Sequence, residues 1–185
     1  MRIIAGRFGG RRLLAVPGKQ TRPTTDKVKE ALFSMIGPYF DGGIALDLFA
    51  GTGGLGIEAV SRGCDQAILV DKQRQAQATI SHNLAVTKEP ERFHLMKMSA
   101  QLALDQLAAS QTVVDLVFLD PPYRFKIMAE LMTTMATAGL LAPAAIIVAE
   151  TDHSTELITP PIGFSQIKHH DYGLTQITVY QYTKE

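Results

Sequence analysis

An alternation of apolar strand segments and helical segments most constrains the fold of this chain of 185 residues. From residue 44 onward, short runs of Val, Ile, Leu and Ala are separated by longer segments with apolar side chains at helical spacing. Repeated βαβ units of this kind build a parallel sheet whose strands are buried between helices. The predicted strands cover residues 44–49, 67–70, 93–98, 113–119 and 145–149, and the predicted helices cover residues 54–62, 74–86, 102–109 and 128–138.

The C-terminal part of the chain departs from this alternation. Residues 164–169 and 174–182 are both predicted to be strands, and Tyr172 and Gly173 lie between them at a turn. A short turn joins antiparallel strands, whereas parallel strands need a longer crossover. The sequence therefore predicts an α/β fold with a mostly parallel seven-stranded sheet that ends in an antiparallel hairpin.

The N-terminal part is predicted to form an arm outside this sheet. Residues 2–16 contain the paired glycines Gly9 and Gly10, which permit the tight turn of a β-hairpin. Thr24 or Thr25 can cap the helix that follows. The predicted units are an N-terminal arm, residues 1–20, and an α/β domain, residues 21–185.

Charge is distributed unevenly along a chain whose formal net charge is zero. Residues 1–30 hold eight basic and only two acidic side chains, so the rest of the chain is acidic. A basic arm on an acidic body attracts a polyanion to one end of the molecule, although a solvated, flexible terminus has the same composition. The basic residues assigned to nucleic-acid binding are Arg2, Arg7, Arg11, Arg12, Arg22 and Lys27.

Other features of the sequence limit the expected cellular location of the protein and the chemistry of its site. No apolar run is long enough to cross a bilayer, no secretory signal opens the chain, and Cys64 is the single cysteine. We therefore expect a reduced, cytoplasmic setting. The five histidines show no ligand spacing with Cys64 or with carboxylates, so we expect no metal site.

A glycine-rich loop follows the first core strand. Gly51, Gly53 and Gly56 match the G-x-G-x-x-G pattern of nucleotide-binding folds, a weak signal by itself. Asp71 ends the second strand and is placed to accept the hydroxyls of an adenosine ribose, which NAD and S-adenosylmethionine share. Asp47, directly before the loop, distinguishes the two cofactors. Its carboxylate would repel a pyrophosphate and attract the cationic methionine end of S-adenosylmethionine.

The fourth strand runs into Asp120, Pro121, Pro122 and Tyr123, the most specific motif in the chain. An exocyclic amine on a nucleic-acid base is a poor nucleophile because its lone pair is conjugated with the ring. Asp120 and the Pro121 carbonyl can each accept one N–H, which lets the nitrogen pyramidalise and aim its lone pair at a methyl group. Tyr123 can stack on the base after the base leaves its own stack. The alternative is a rigid loop with no chemical role.

Together these motifs resemble the RsmD family, bacterial methyltransferases that modify N2 of a guanine in small-subunit ribosomal RNA. The resemblance spans nearly the whole chain, and its most family-specific segment is Thr21-Arg22-Pro23-Thr24. The other matching segments are Arg2-Ile3-Ile4-Ala5-Gly6 with Gly9-Gly10, Lys27 with Glu30, Asp47-Leu48-Phe49-Ala50-Gly51-Thr52-Gly53, and Asp120-Pro121-Pro122-Tyr123.

The resemblance implies a Rossmann-like class I methyltransferase that uses S-adenosylmethionine on 16S ribosomal RNA, within the small subunit or its assembly intermediate. Where the family often has Asp or Asn for the adenine, this chain has Ser99 and Ala100, and the Ser99 hydroxyl can still form a hydrogen bond. The implied catalytic residues are Asp120, Pro121, Pro122 and Tyr123. The implied cofactor-binding residues are Thr24, Asp47, Phe49, Ala50, Gly51, Thr52, Gly53, Asp71, Lys72, Ser99, Ala100 and Asp120.

Several other functions share parts of this pattern. A DNA adenine-N6 methyltransferase would share the Asp-Pro-Pro-Tyr motif but usually needs extra segments to read duplex sequence. A protein glutamine methyltransferase favours Asn at position 120, and an oxidoreductase would bind NAD. A non-catalytic module would bind RNA without methyl transfer.

Overall fold

Strands and helices alternate through the structure, a computed structural model that describes residues 1–18, 25–121, 126–152 and 159–183. The helices are α1 (Asp26–Ile36), α2 (Gly54–Ser61), α3 (Arg74–Thr87), α4 (Ala100–Ala109) and α5 (Lys126–Thr137). The strands are β1 (Ile44–Asp47), β2 (Gln66–Val70), β3 (Phe93–Met96), β4 (Val114–Leu119), β5 (Leu141–Asp152), β6 (Phe164–Asp171) and β7 (Thr175–Tyr182).

The strands form one seven-stranded sheet in the order β3-β2-β1-β4-β5-β7-β6. The first five strands pair in parallel, and β7 pairs antiparallel with both β5 and β6. The predicted fold, a mostly parallel sheet with an antiparallel C-terminal hairpin, is confirmed. The chain proceeds from β1 outward to β3 and then returns to the other side of β1 with β4, so the strand order reverses between β1 and β4.

Several predicted element bounds were wrong by a few residues. The first strand ends at Asp47 rather than Phe49, and the third ends at Met96 rather than Met98, because the chain turns there into loops that line a cavity. Helix α4 begins at Ala100 rather than Leu102, since the Ser99 side chain caps it by accepting the Leu102 N–H.

The predicted fifth strand, residues 145–149, was too short. Strand β5 starts at Leu141 and continues to Asp152, although it contains Pro143 and a left-handed Ala144 at φ 64°. Its pairing with β4 shifts register between Val114 and Leu116, which accommodates these two residues as an irregularity. A proline therefore interrupts the ladder without ending the strand.

Two apolar clusters cover the two faces of the sheet. One contains side chains of α4 and α5, together with the methionines Met96, Met128, Met132 and Met135. The other contains side chains of α1, α2 and α3 and of the N-terminal arm. Among the helices in the described ranges, none is both long and apolar enough to cross a membrane.

The N-terminal arm is packed against the domain and does not contain the two predicted strands. Residues 2–16 contain turns closed by a single antiparallel bridge between Arg2 and Arg12. The backbone groups that a second strand would satisfy bind α2 instead: Phe8 N–H donates to the Ser61 hydroxyl at 3.0 Å. Gly6 lies so close to the end of α2 that an added Cβ would fall 1.7 Å from the Ser61 carbonyl oxygen.

Candidate active site

A cavity of about 1380 Å³ opens at the carboxyl ends of β1, β2, β4 and β5. Because the strand order reverses between β1 and β4, this edge is the switch point at which open α/β sheets bind ligands. Most of the described residues that the sequence motifs predicted for the site line this cavity. They are Asp47, Phe49, Ala50, Gly51, Thr52, Asp71, Lys72, Ser99, Ala100, Asp120 and Pro121.

The glycine loop has clear structural reasons for two of its glycines. Gly53 caps α2 in the left-handed region, at φ 78°, which side chains rarely adopt. A Cβ on Gly56 would lie 2.2 Å from Cδ2 of Leu69, so this glycine allows α2 to pack against β2. Gly53 is absent from the cavity wall, whereas Gly51 and Thr52 lie on it. Gly54 and Leu55, at the start of α2, line the cavity as well, so both the loop and the first turn of that helix face it.

The Asp71 carboxylate is held beside the glycine loop by two backbone donors. Gly51 N–H donates to Oδ2 at 2.9 Å, and Gln73 N–H donates to Oδ1 at 2.8 Å. A carboxylate can accept about four hydrogen bonds. Each oxygen therefore keeps acceptor capacity for a pair of ribose hydroxyls.

Asp47 is a buried carboxyl group at the end of β1, with 2% of its surface exposed. Burial raises the pKa of Asp47 to about 7, and the charges of Asp71 and Glu150 act in the same direction, while backbone hydrogen bonds from Phe49 and Gly56 oppose them. The group is therefore partly ionised near neutral pH. A cation placed beside it would favour the charged form.

Asp120 follows β4, directly between the ends of β1 and β5. Leu119 pairs with Ala149, which places Asp120 next to Glu150, near the carboxyl end of β5. The side chain of Asp120 is open to the cavity, yet desolvation by the enclosing protein raises its pKa well above the usual range, and the charges of Glu150, Asp47 and Asp152 raise it further. Pro121 also lines the cavity. Pro122 and Tyr123 lie outside the described residues.

The positions predicted for the adenine and for adjacent contacts also lie on the wall. The Ser99 hydroxyl oxygen accepts one hydrogen bond as the α4 cap, which leaves its proton and a second lone pair available to a ligand. Ala100 and the exposed Lys72 lie near it on the cavity wall. Thr24, predicted as a further cofactor contact, lies outside the described residues, and Thr25 is the residue that caps α1.

The basic residues assigned to nucleic-acid binding differ in their contacts with the rest of the protein. Three arginines of the arm make contacts within the protein, and these contacts join the arm to α1, to α3 or to the turn that follows α3. These contacts are Arg2 with Asp26 at 3.2 Å, Arg7 with Glu89 at 2.8 Å, and Arg11 with the carbonyl oxygens of Val86 and Thr87. Arg12 and Lys27 are exposed, and Arg22 lies outside the described residues.

A buried ionic cluster holds the start of the arm to α1 and α2. The Glu58 carboxylate accepts Nζ of Lys29 at 3.2 Å and Nε of Arg62 at 2.8 Å. It also accepts the N–H groups of Ile4 at 2.8 Å and Ala5 at 3.0 Å. Burial lowers the pKa of Lys29, while Glu58 opposes that effect. Lys29 therefore serves the fold of the arm.

Several residues that line the cavity were not predicted from the sequence. Glu150 follows the apolar strand segment of residues 145–149, the same signal that identified Asp47, and could have been found by it. The others have no distinctive local pattern. They include Met1, Val16, Gln73, Met98, Gln101, Glu130, Thr134, Thr151 and Thr175.

Comparison with known proteins gives a family match over nearly the full chain. A family model described as Conserved hypothetical protein 95 matches residues 1–181. A Bacillus subtilis protein, YlbH, provisionally named as an rRNA methyltransferase, is 44% identical over 98% of this chain and 98% of its own length. The ribosomal RNA small subunit methyltransferase D of Haemophilus influenzae is 34% identical over 98% of this chain and 93% of its own length.

A solved structure shares the fold. An Escherichia coli protein, provisionally named methyltransferase yhhF, superposes with a TM-score of 0.88 at 32% sequence identity. The match covers 100% of this chain and 99% of that chain.

Proposed function

Because the chain belongs to the RsmD family, the family described as Conserved hypothetical protein 95, we propose that it transfers a methyl group from S-adenosylmethionine to the exocyclic N2 amine of a guanine in 16S ribosomal RNA. The observation that carries this proposal is the shared cavity of Asp47, Asp71 and Asp120. Asp47 and Asp71, which suit the cofactor, line the same cavity as Asp120, which suits an exocyclic amine. The names of the relatives support ribosomal RNA as the substrate.

The residues present fit S-adenosylmethionine. Asp47 would meet its cationic methionine end, Asp71 would accept its ribose hydroxyls, and the Ser99 hydroxyl would donate to its adenine. Gly51 and Thr52 would pack against it, because their loop lies on the wall between these carboxylates. When bound there, the cofactor supplies an electrophilic methyl group on a positively charged sulfur.

Asp120 and the Pro121 carbonyl would hold the amine of the base. Each accepts one N–H, so the nitrogen lone pair leaves conjugation with the ring and points toward the methyl group. The new N–C bond would form as the methyl–sulfur bond breaks, with S-adenosylhomocysteine as the leaving group. Positive charge would then grow on nitrogen, where the Asp120 carboxylate would stabilise it. The amine then loses one proton, which Asp120 can accept and pass to solvent. Pro122 and Tyr123 keep their predicted roles of shaping this pocket and stacking on the base.

The exposed basic residues of the arm and of α1 would hold the RNA backbone. Arg12 and Lys27 are exposed and can reach phosphates directly. Arg2, Arg7 and Arg11 would position the arm and add positive potential, and Arg22 keeps its predicted contact with RNA. The substrate would be the small subunit or its assembly intermediate in the cytoplasm.

Mass spectrometry of nucleosides tests this function. Small subunits from a strain lacking the gene would be incubated with the enzyme and S-adenosylmethionine, and N2-methylguanosine is the expected product. Asp120→Ala should reduce its rate of formation by about 100-fold or more while the affinity for S-adenosylhomocysteine changes much less. N6-methyladenine in DNA as the product would identify a DNA methyltransferase instead. RNA binding with no methylated nucleoside would identify a non-catalytic module.

A further inference from the structure

The cavity continues beyond Asp120, on the side away from the proposed cofactor site. In the sheet order, β4 lies between β1 and β5, so Asp120 separates the Asp47 side of the cavity from the Glu150 side. The wall of this far part is formed by residues of α5, β5 and β7, which are Glu130, Thr134, Glu150, Thr151, Asp152 and Thr175. The whole cavity, at about 1380 Å³, exceeds the roughly 300–1,000 Å³ of a site for one small ligand. It therefore has room for a second ligand beside a cofactor.

The register of the sheet directs Glu150 into this far part of the cavity. Leu119 pairs with Ala149, and both side chains pack into the apolar cluster that contains α4 and α5. Successive residues of a strand point to opposite faces, so the residues that follow them, Asp120 and Glu150, face away from that cluster. Ile177, which pairs with Glu150 from β7, accordingly belongs to the other apolar cluster. Two carboxyl groups therefore stand side by side on neighbouring strands, whose backbones lie about 4.8 Å apart.

The place of Glu150 bears on which base can present an amine to Asp120. With the cofactor on the Asp47 side, the ring that carries the amine must extend to the Glu150 side, where a group that flanks the amine meets the carboxylate. In guanine this group can be N1, which carries a hydrogen. In adenine the flanking groups are the lone pairs of N1 and N7, and in cytosine they are the N3 lone pair and a C–H group. Guanine is therefore the base whose amine lies beside an N–H donor.

We propose that Glu150 is a specificity-determining residue that selects guanine by accepting its N1–H. The inference rests on the proposed function for the reaction and for the place of the cofactor. The two amine hydrogens and N1–H would then meet three acceptors, which are Asp120, the Pro121 carbonyl and Glu150. Glu150 has an interaction within the protein, and a carboxylate accepts about four hydrogen bonds, so it can keep that interaction while it binds the base. An adenine amine at Asp120 would turn a lone pair toward the Glu150 carboxylate, which disfavours adenine.

Replacement of the methylated guanine by 2-aminopurine tests this inference. 2-Aminopurine keeps the amine on the same carbon but has a lone pair at N1 instead of the N–H. The guanine that the parent enzyme methylates would be located by mass spectrometry of RNA fragments, and small subunits would be reconstituted with either base at that position. The parent should prefer guanine by about 100-fold or more in kcat/KM, because Glu150 otherwise loses a donor and meets a lone pair.

Glu150→Gln should remove much of this preference. The amide can accept N1–H of guanine through its oxygen, and it can donate to N1 of 2-aminopurine through its nitrogen. The ratio of the two kcat/KM values should therefore fall by about tenfold or more, measured at a pH above which activity no longer rises. A general loss of activity lowers both values together and leaves their ratio unchanged. Glu130→Gln is the matched control, because it makes the same change in another carboxylate of the far part, and its ratio should equal that of the parent.

The outcomes separate this inference from the proposed function. If the parent forms no N2-methylguanosine in small subunits, the proposed function fails and this inference fails with it. If the parent methylates both bases equally well, or if Glu150→Gln keeps the full preference, guanine is methylated but Glu150 does not select it. An equal fall of the ratio in Glu130→Gln would assign the preference to the total charge of the cavity and overturn the role of Glu150. The comparison of the two bases in the parent needs no variant, so the inference stays testable if Glu150→Gln does not fold.

Discussion

Asp120, directly after β4, lies beside Glu150, which is near the carboxyl end of the parallel strand β5, and both residues line the cavity. After desolvation, the charge of Glu150 is the largest contribution to the raised pKa of Asp120. The residue that we propose to accept an N–H of the base is thus a carboxyl group that resists ionisation. Its protonation state should control the reaction.

The first prediction concerns the pH dependence of methyl transfer. Only ionised Asp120 can accept the amine proton and stabilise positive charge, so kcat should fall as the pH drops through the raised pKa of Asp120. Glu150→Gln removes the largest charge contribution and lowers that pKa. The acidic limb of the pH–rate profile should therefore move to lower pH, as steady-state kinetics on small subunits would measure.

Glu130→Gln is the matched control for this prediction. Glu130 also lines the cavity, but it is not among the groups that raise the pKa of Asp120. Its acidic limb should stay in place. If the acidic limb moves equally in both variants, the total negative charge of the cavity sets the pKa, and Glu150 has no special part. If it moves in neither variant, Asp120 is not the group that titrates in the profile.

The second prediction concerns Asp47 and cofactor affinity. A cationic ligand end beside Asp47 favours its ionised form, so binding lowers the pKa of Asp47 below about 7 and releases a proton. The affinity for S-adenosylmethionine should therefore rise with pH up to about 7 and level off above it, with a limiting slope of about tenfold per pH unit. Calorimetry at several pH values measures both the affinity and the proton release.

Asp47→Asn tests the origin of that slope. The amide is nearly the same size but cannot ionise, so the affinity should be weaker at pH 8 and nearly independent of pH. A variant with the same slope as the parent would show that another group releases the proton.

The free enzyme should respond to the same substitution in the opposite sense. The pKa of Asp47 is about 7 in the folded protein, against an ordinary value of 3.8. The contribution of this group to the free energy of unfolding is therefore lost as pH rises from about 4 to 7. Asp47→Asn should make the free enzyme more stable than the parent at pH 8, by about 1 kcal/mol or more, in urea unfolding.

The fold and the gathering of the strand-end residues at one cavity were predictable because their signals are local. An apolar strand that ends in a carboxylate, as at Asp47 and Asp71, shows in the sequence because parallel strands are buried and their carboxyl ends meet at one edge. The Asp120 motif followed the same rule. Position along the chain was sufficient for these residues, because the topology brings all strand ends together.

The arm could not be predicted in the same way, because its structure depends on partners far along the chain. Glu58 lies within a helix and has no pattern that marks it as the acceptor for Ile4 and Ala5, 54 and 53 residues away. Lys29 was counted with the basic charge of the first 30 residues, yet it is buried against Glu58. Local spacing indicated a hairpin, and the antiparallel pairing of Arg2 with Arg12 closes one. Long-range contacts with α2 hold the residues between them in turns, where the prediction had strands.

The third prediction concerns the stability of this buried ionic cluster. Glu58→Ala leaves Lys29 and Arg62 without their shared carboxylate, and breaking a buried pair in this way costs about 3–5 kcal/mol. Urea unfolding should report a loss of that size. The control is Asp105→Ala, because Asp105 is an exposed acid on α4. A surface change of this kind should stay within about 0.5 kcal/mol of the parent.

The fourth prediction concerns the basic residues that would contact RNA. The contacts of Arg2, Arg7 and Arg11 within the protein leave Arg12 and Lys27 as the exposed cations most available to phosphates. Each phosphate contact releases counterions, so its loss should reduce the log–log salt slope of RNA binding by about 0.7 to 0.9. The double variant Arg12→Ala/Lys27→Ala should therefore lower the slope by about 1.4 to 1.8.

Filter binding over a range of salt concentrations, on assembled small subunits and on naked 16S RNA, measures this slope. Lys97→Ala is the control, because Lys97 is an exposed cation just beyond β3 and belongs neither to the arm nor to α1. The salt slope of this variant should match that of the parent. Arg7→Ala should differ from both, since Arg7 is paired with Glu89 and its loss frees a carboxylate instead of removing a phosphate contact. It should weaken binding with a smaller change in slope. Equal slopes for the parent and the double variant on both substrates would place the phosphate contacts elsewhere and leave the arm as a wall of the cavity only.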